Sequence, residues 1–461
     1  MNRPAHNSRS DTASPANRWS IVVAAGLILF MVQLDAFTVA TVMPVITDDL
    51  QTTPAIAQWA MLGFTLPAIA LVIPVGGWLG RVGRRPALLM SVAGFAATGV
   101  LVAAAPGVEW LITGRVLQGA FAAITFVLMP LIAAEAVAPA LRGRAMGLVF
   151  ALGPIGGITG PLLGGLLAEQ FGWRAAFLLN LPVAVAVLVL GRRMPRTLPL
   201  RGPSKSTLVE TVYLLIAFTP LLIALTLAVE LHPAWLALAL LGVVGFVKCL
   251  RTGSGAEVRQ MMRIKAARGS LWALWAQTAV QGTLLMLVPF FLARELALPA
   301  AKLGIPTMVM AATTAATSFV AGWLTDRWGA ARTTFVGLAF IALATVNLLP
   351  LNPEWTMFDL LWRIGLVGVG VGLFGGAQTA MTLEATPERL AATASGAMSL
   401  FRQTAIAAAP SLATLGWGLS GYSLDGMRLV LIAAAAIGFL GLIPLLTPTT
   451  KKSNRELIPA A

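Results

Sequence analysis

The chain alternates between long apolar runs and short polar stretches rich in arginine and lysine. Crossing a hydrocarbon layer takes roughly 20 apolar residues. With that window fourteen runs stand out: Trp19–Ile46, Ile56–Leu79, Pro86–Ala105, Trp110–Ala133, Ala145–Leu167, Trp173–Gly191, Thr211–Val229, Pro233–Val247, Leu271–Leu292, Gly304–Leu324, Thr333–Leu349, Trp355–Met381, Thr393–Trp417 and Met427–Leu446. They are continuous rather than alternating with period two, so a β-barrel is rejected. A helix is then the way left to satisfy the backbone in lipid, and all fourteen are predicted helical. Pro233–Val247 is short, and a snorkelling Lys248 extends it. The first run does not read as a signal peptide, because it is long, carries Asp35 inside and lacks a small-residue cleavage site. The expected fold is an all-α polytopic membrane protein.

Composition agrees. Of 461 residues, 58% are apolar and 11% charged, against about 25% charged in a soluble domain. Mean hydropathy is +0.85. The net charge of +14 would suggest nucleic acid if taken alone. Placement changes that reading. With the N-terminus inside, the cytoplasmic loops and tails hold 25 of the 32 basic residues. The outer loops hold four (Arg174, Arg294, Lys302, Arg428), and three lie within runs: Arg115, Arg363 and Arg402. Such a bias puts both termini on the cytoplasmic side of the cytoplasmic membrane. Anionic lipid headgroups, not nucleic acid, become the expected partner of the surplus charge. Cys249 is the single cysteine, and His6 and His232 are the only histidines, so no metal or other cofactor is expected.

An internal repeat divides the chain. Gly76–Arg85 (GGWLGRVGRR) is similar to Gly322–Arg332 (GWLTDRWGAAR), with Gly76 and Gly322 246 residues apart. Arg115 and Arg363 are 248 apart, and Pro139 with Arg142 is echoed by Pro387 with Arg389. Two related six-helix halves are expected, as in transporters built from parallel repeats. The predicted organisation is a disordered tail over 1–18, a first half over 19–191 and basic loops with two inserted helices over 192–268. A second half follows over 269–447, then a cytoplasmic tail over 448–461.

Asp35 is the one acid well inside a run. Burying a lone carboxylate costs several kcal/mol, so it must be paired, protonated or wet. Arg115 is its candidate partner, both lying in the outer halves of their helices. Two readings stand: a proton-linked switch in which protonation of Asp35 frees Arg115, or a static ion pair tying two helices. The corresponding stretch of the second half, Gln281–Thr283, has no acid, so proton handling is expected in the first half. Arg363 and Arg402 are intramembrane cations without an evident acid. Either they face a cavity and meet negative or carbonyl groups of a substrate, or they bond backbone carbonyls or snorkel. Gln33, Gln118, Gln277, Gln281, Gln378, Gln403 and Asn180 are candidate cavity groups or interhelical ties.

At this point the chain resembles the major facilitator superfamily, and within it the fourteen-span drug:proton antiporters, over nearly its whole length. LDAFTVATVMP (Leu34–Pro44) is similar to that branch's first-span motif. Gly76–Arg85, with Arg81, Gly83, Arg84 and Arg85, resembles the loop motif after span 2, echoed by Asp326 and Arg327. RVLQG (Arg115–Gly119), with Gln118, resembles the fourth-span motif, whose arginine is implicated in proton transfer. Gly156, Gly160, Pro161, Gly164 and Gly165 resemble the span 5 antiporter motif, and GWRAAFLLNLP (Gly172–Pro182) the entry to span 6. The resemblance implies two pseudo-symmetric halves plus two central helices and no enzyme activity, and the chain is expected to function as a monomer. One departure is Gly80, where the loop motif carries an aspartate that helps lock the cytoplasmic ends; Arg81, Arg84 and Arg85 are then expected to latch on other partners or only to set orientation. The span 5 glycines read either as close packing or as a bend shaping the cavity.

The leading expectation is efflux of an amphipathic small molecule in exchange for protons. An uptake or exchange carrier on the same fold is the alternative. A membrane enzyme is disfavoured because no His, Asp, Glu or Cys cluster lies near an interface, and a channel because no charge ring or filter motif occurs.

Overall fold

The computed structural model describes residues 17–446 apart from 80, 139–140, 196–197, 203–204, 251–258 and 388–390. Most of both predicted tails, Gly80, Pro139, Arg389 and the side chain of Arg142 lie outside the described residues. A helix lies on each apolar run: α1 Trp19–Asp49, α2 Trp59–Leu79, α3 Arg84–Ala103, α4 Val108–Glu135, α5 Arg142–Phe171, α6 Asn180–Gly191, α7 Lys205–Glu230, α8 Ala239–Leu250, α9 Lys265–Arg294, α10 Ile305–Trp328, α11 Ala330–Val346, α12 Met357–Glu384, α13 Ala391–Leu419 and α14 Leu424–Leu440. Among the described residues eleven helical segments are long and apolar enough to cross a membrane. Two further apolar segments, Pro233–Lys248 and Ala330–Val346, are shorter. The architecture is that of an all-helical, multi-pass membrane protein.

The helices are held by close approach of small residues, since lipid removes the hydrophobic drive between helices. α1 packs most extensively on α5, α2 on α4, α10 on α12 and α11 on α12. Prolines inside α1, α2, α4, α5, α7, α9 and α13 are tolerated within this packed bundle. Gly172 (φ +81°) and Gly329 (φ +86°) turn the chain sharply between helices in a backbone region that a side chain disfavours.

The two ends of the bundle differ. At one end a single apolar core joins the halves: Val39, Met43 and Ile46 of α1 pack in the same cluster as Phe290 and Phe291 of α9 and Trp417 of α13. Toward the other end the cores separate. One holds residues of the first half, including Val22, Val75, Leu79 and Ala145, and another holds residues of the second, Met261, Leu271, Ala394 and Ala397. Gly76 and Gly322, equivalent glycines of the two repeats, both face open space there. The molecule is therefore closed at the end carrying residues 46–59 and 414–424 and open at the end carrying the basic loop motifs.

Polar ties reinforce the closed end. Thr414 donates to Gln58 Oε1 at 2.6 Å across the halves, and the Ala301 amide donates to Glu169 at 2.9 Å. The inserted helix α7 joins this end: Thr53 donates to Glu230, and Trp59 Nε1 donates to Thr226 at 2.9 Å. The Arg294 guanidinium lies 5.6, 5.3 and 5.8 Å from the rings of Phe290, Trp417 and Tyr422. Burial, with the nearby Glu230 carboxylate, pushes the Tyr422 phenol above its ordinary range, so it stays neutral. α7 also fills the seam between α2 and α13, where Leu222 packs with Leu62, Leu66 and Ala407. α8 covers α7 and turns Leu240, Val243 and Val244 outward, as a lipid-facing helix does.

Candidate functional site

The interior of α1 places Asp35 on its buried face, between Leu34 and Thr38. Asp35 Oδ2 accepts from Arg115 Nη1 of α4 at 2.8 Å, and both side chains are 1% exposed. Asp35 Oδ1 accepts from Asn180 Nδ2 at 3.0 Å. Arg115 is held from three further directions. Its Nη1 also donates to Gln118 Oε1 at 2.6 Å, its Nε donates to the Ala60 carbonyl at 2.6 Å, and its guanidinium lies 4.6 Å from the Phe64 ring centroid and 5.6 Å from that of Phe177. A desolvated pair of this kind is tolerated because Coulomb attraction and several hydrogen bonds offset the loss of water. The predicted Asp35–Arg115 pairing is thus present.

Local geometry explains how Asn180 reaches Asp35. Gly172 ends α5, and the turns Trp173–Ala176 and Phe177–Leu179 lead into α6. Asp49, at the end of α1, accepts from Trp173 Nε1 and from Arg174 Nη1, both at 2.8 Å. These bonds pin the turn to α1, and Asn180 opens α6 directly after the second turn. Gln118 Nε2 and Asn180 Oδ1 are buried without a hydrogen-bond partner among the described residues. Two unused polar atoms beside one ion pair leave room for rearrangement, because buried polar groups are normally satisfied.

The span 5 glycines seat α5 on α1 around Asp35. A Cβ on Gly156 would strike the Phe30 carbonyl, one on Gly160 would come within 2.6 Å of the Leu34 carbonyl, and one on Gly164 within 2.7 Å of Thr38 Cγ2. Thr38 Oγ1 donates to the Gly160 carbonyl at 3.0 Å. The other edge of the same helix meets the second half: Gly165 faces the Ala300 carbonyl, and the Pro161 carbonyl closes on Gly304. One glycine-rich face thus touches both the ion-pair helix and the opposite half. Gly119 is likewise pressed against the Phe64 carbonyl and holds α4 to α2.

The loop-motif residues lie at the open end. Arg84 pairs with Glu135 of α4 at 3.3 Å and also donates to the Leu79 carbonyl, so its partner is in its own half. Gly83 abuts the Leu198 carbonyl, and Trp78 Nε1 donates to the Arg201 carbonyl at 2.7 Å, laying the connection between the halves over this loop. Arg81 is exposed and Arg85 half-buried. Asp326 and Arg327 are exposed and form no ion pair with each other, Arg327 lying 5.4 Å from the Trp323 ring.

The candidate cavity set divides. Gln33 and Gln281 are half-buried at mid-helix, Gln277 donates to Gln281 Oε1 at 3.0 Å, and Arg402 is exposed in the middle of α13. Gln378 does not belong with them. It is fully buried and bonded to Ser270 Oγ at 3.1 Å and Thr382 Oγ1 at 2.9 Å, a neutral tie between α9 and α12. Arg363 follows the second of its two readings and bonds backbone carbonyls, with one correction. It does have an acid partner, Asp359 at 3.6 Å, one turn earlier on α12. It donates to the Asn347 carbonyl at 3.1 Å and lies 4.1 and 4.3 Å from the rings of Trp355 and Trp362. These contacts hold it near the end of its helix, away from a central cavity. Asn180 as partner of Asp35, and Phe64 and Phe177 around Arg115, were not assigned these roles from sequence; the polar Asn180 amid an apolar run was the available signal.

The Major Facilitator Superfamily model matches residues 25–410. The chain belongs to the major facilitator superfamily. Among its relatives in this superfamily, the tetracenomycin C resistance and export protein of Streptomyces glaucescens is 27% identical over 418 residues, covering 87% of this chain and 75% of that protein. The multidrug resistance protein Stp of Mycobacterium tuberculosis is 28% identical, covering 86% and 74%. A probable actinorhodin transporter of Streptomyces coelicolor is 30% identical, covering 88% and 74%. In fold, the chain is similar to a bacterial homologue of the human lysosomal transporter Spinster in an inward-facing, unoccupied conformation, with TM-score 0.67, 17% identity and coverage of 94% and 97%. This major facilitator chain is a transporter rather than an enzyme, and relatives of it are named as drug or antibiotic exporters.

Proposed function

We propose that this chain is a fourteen-span exporter that moves an amphipathic small molecule out of the cell in exchange for protons, by alternating access. The observation that carries the reading is the Asp35–Arg115 pair at 2.8 Å, the carboxylate being fully buried. A group in that position changes its bonding when its charge changes. Ionised, Asp35 accepts from both Arg115 and Asn180. Protonated, it no longer holds the guanidinium by charge, and its new O–H needs an acceptor. The Asn180 carboxamide supplies one after rotation, its oxygen being unpaired in the present arrangement. Arg115 keeps the Ala60 carbonyl and Gln118, which spares it the full cost of losing its partner.

Such a switch lies where it can bias the whole molecule. The glycine face of α5 rests on α1 beside Asp35 and on α10 across the seam between halves, so a shift of α1 is felt at the closed end. The basic loops mark the open end as cytoplasmic by charge bias, and the present state is then the one that loads substrate from inside. A charge moved across the membrane is worth about 2.3 kcal/mol per 100 mV. One proton at roughly 150 mV supplies about 3.5 kcal/mol, enough for a gradient of a few hundredfold. The names of the exporting relatives support the outward direction.

The test uses everted membrane vesicles and a drug-susceptibility panel to find a transported compound. Adding that compound to energised vesicles should release protons from the lumen. Substrate movement that ignores the proton gradient would remove antiport; accumulation in whole cells rather than extrusion would favour an uptake carrier.

A further inference from the structure

With Asp35 committed to Arg115 and Asn180, Arg402 is an intramembrane charge that no described residue neutralises. Arg402 sits eleven residues into α13 and is exposed, although the helix positions that share its face are packed inside the bundle. That combination describes a side chain on internal water rather than on lipid. Helical spacing agrees. Residues i+7, i+11 and i+15 from Arg402 are Ala409, Ala413 and Trp417, all buried, and the last two belong to the core that joins the halves at the closed end. The same stripe of α13 therefore faces the centre of the bundle, packed from Ala409 to the closed end and exposed about two turns nearer the open end. Gln33 of α1 and Gln281 of α9 are half-buried at comparable depth, with Ala40 and Val288, seven residues further along, in that joining core.

Arg402 makes no ion pair or hydrogen bond among the described residues. The other cations near the membrane interior are all engaged: Arg115 by Asp35, Arg363 by Asp359 and two indoles, Arg294 by three aromatic rings. An unpaired guanidinium at mid-membrane is costly and marks a ligand path. Among the described residues no exposed carboxylate lies inside the spans to receive a cation, since Asp35 is sealed at 1% exposure. From this we infer that the cavity selects amphiphilic organic anions, a carboxylate or an ionised phenol on an apolar body, with Arg402 binding the charge and the glutamine amides of Gln33 and Gln281 serving neighbouring carbonyl or hydroxyl groups. The inference rests on the export reading for the direction of transport, and adds the substrate class.

The probes share one apolar body and differ in charge: pyrenebutyrate, pyrenebutyramide and pyrenemethylammonium. Their binding to purified full-length protein in nanodiscs is read by energy transfer from tryptophan, without any gradient, with empty nanodiscs subtracted. The wild type should bind the anion about tenfold or more tighter than the ammonium, since hydrogen bonds to charged groups are the strong ones. Arg402→Gln should erase that preference, Arg402→Lys should keep most of it, and Arg402→Glu should reverse it toward the ammonium. An unchanged thermal melting midpoint for Arg402→Gln shows that the fold is kept; if it falls, the Lys and Glu variants decide. A wild type with no anion preference, whether it binds all three alike or none, overturns the inference, as does a preference that survives Arg402→Gln. Because no proton gradient is present, loss of coupling in Asp35→Asn leaves this result untouched, and failure here leaves the export reading standing.

Discussion

Arg115 and Arg363 hold the same place in the two repeats, 248 residues apart, and meet opposite fates. Arg115 is sealed in the first half against Asp35. Arg363 turns to the end of its helix and settles on Asp359, the Asn347 carbonyl and two tryptophans. The difference begins at the partner position. The residue 247 beyond Asp35 is Gly282, which offers no charge and is packed so that even a Cβ would come within 3.2 Å of Ala409. With neither an acid nor space to receive it, a guanidinium finds better partners at the membrane border. The second half instead joins its first and fourth helices through the neutral Ser270–Gln378–Thr382 cluster. A duplicated scaffold thus carries a charged joint in one copy and a neutral one in the other.

The largest expected effect breaks the first-half joint. Asp35→Ala leaves a buried guanidinium unpaired and should cost about 3–5 kcal/mol of stability, measured by thermal unfolding in detergent, with loss of drug resistance in cells. Next is the glycine face. Gly160→Val drives a side chain into the Leu34 carbonyl and should cost roughly 1–3 kcal/mol and most of the export rate. Gly322→Ala, where a Cβ meets nothing in the open state, should leave stability unchanged to within about 0.5 kcal/mol. An effect smaller than that of Gly160→Val is expected at the closed end. Thr414→Val removes the bond to Gln58 and should shift the balance toward outward opening by about 1 kcal/mol, or roughly fivefold. Spin-label distances across that end would read the shift. Arg363→Gln should also do little, because a part-exposed i,i+4 pair is worth about 0–1 kcal/mol; export should stay within roughly twofold. A large loss there would mean that the second half also carries a working charge.

Much of this was legible in the chain before any coordinates. The apolar runs place all the long helices because lipid leaves the backbone few options. Helix ends moved by several residues, as at α7, which starts at Lys205 rather than Thr211, since a polar residue can extend a helix into the interface. The Asp35–Arg115 pair was readable because one intramembrane acid has few places to go. The aim of Asn180 was not, as it depends on a turn pinned by Asp49, far away in sequence. Arg363 and Gln378 were each left with two readings, a cavity group or a local tie, for a related reason. Pattern reveals that a polar group is in the membrane, while neighbours on other helices decide whether it faces water, a ring or another amide. The state of the molecule, closed at one end, came only from seeing which side chains share a core.

The central claim is that Asp35 couples protons to transport, and Asp35→Asn in proteoliposomes tests it most directly. The amide keeps the size and a hydrogen bond to Arg115 but cannot titrate near neutral pH. With a transported compound from the susceptibility panel, the variant should still equilibrate that compound downhill and in counterflow. It should no longer concentrate it when a proton gradient is imposed, whereas the wild type does. Proton-driven accumulation by Asp35→Asn at the wild-type level would contradict the account.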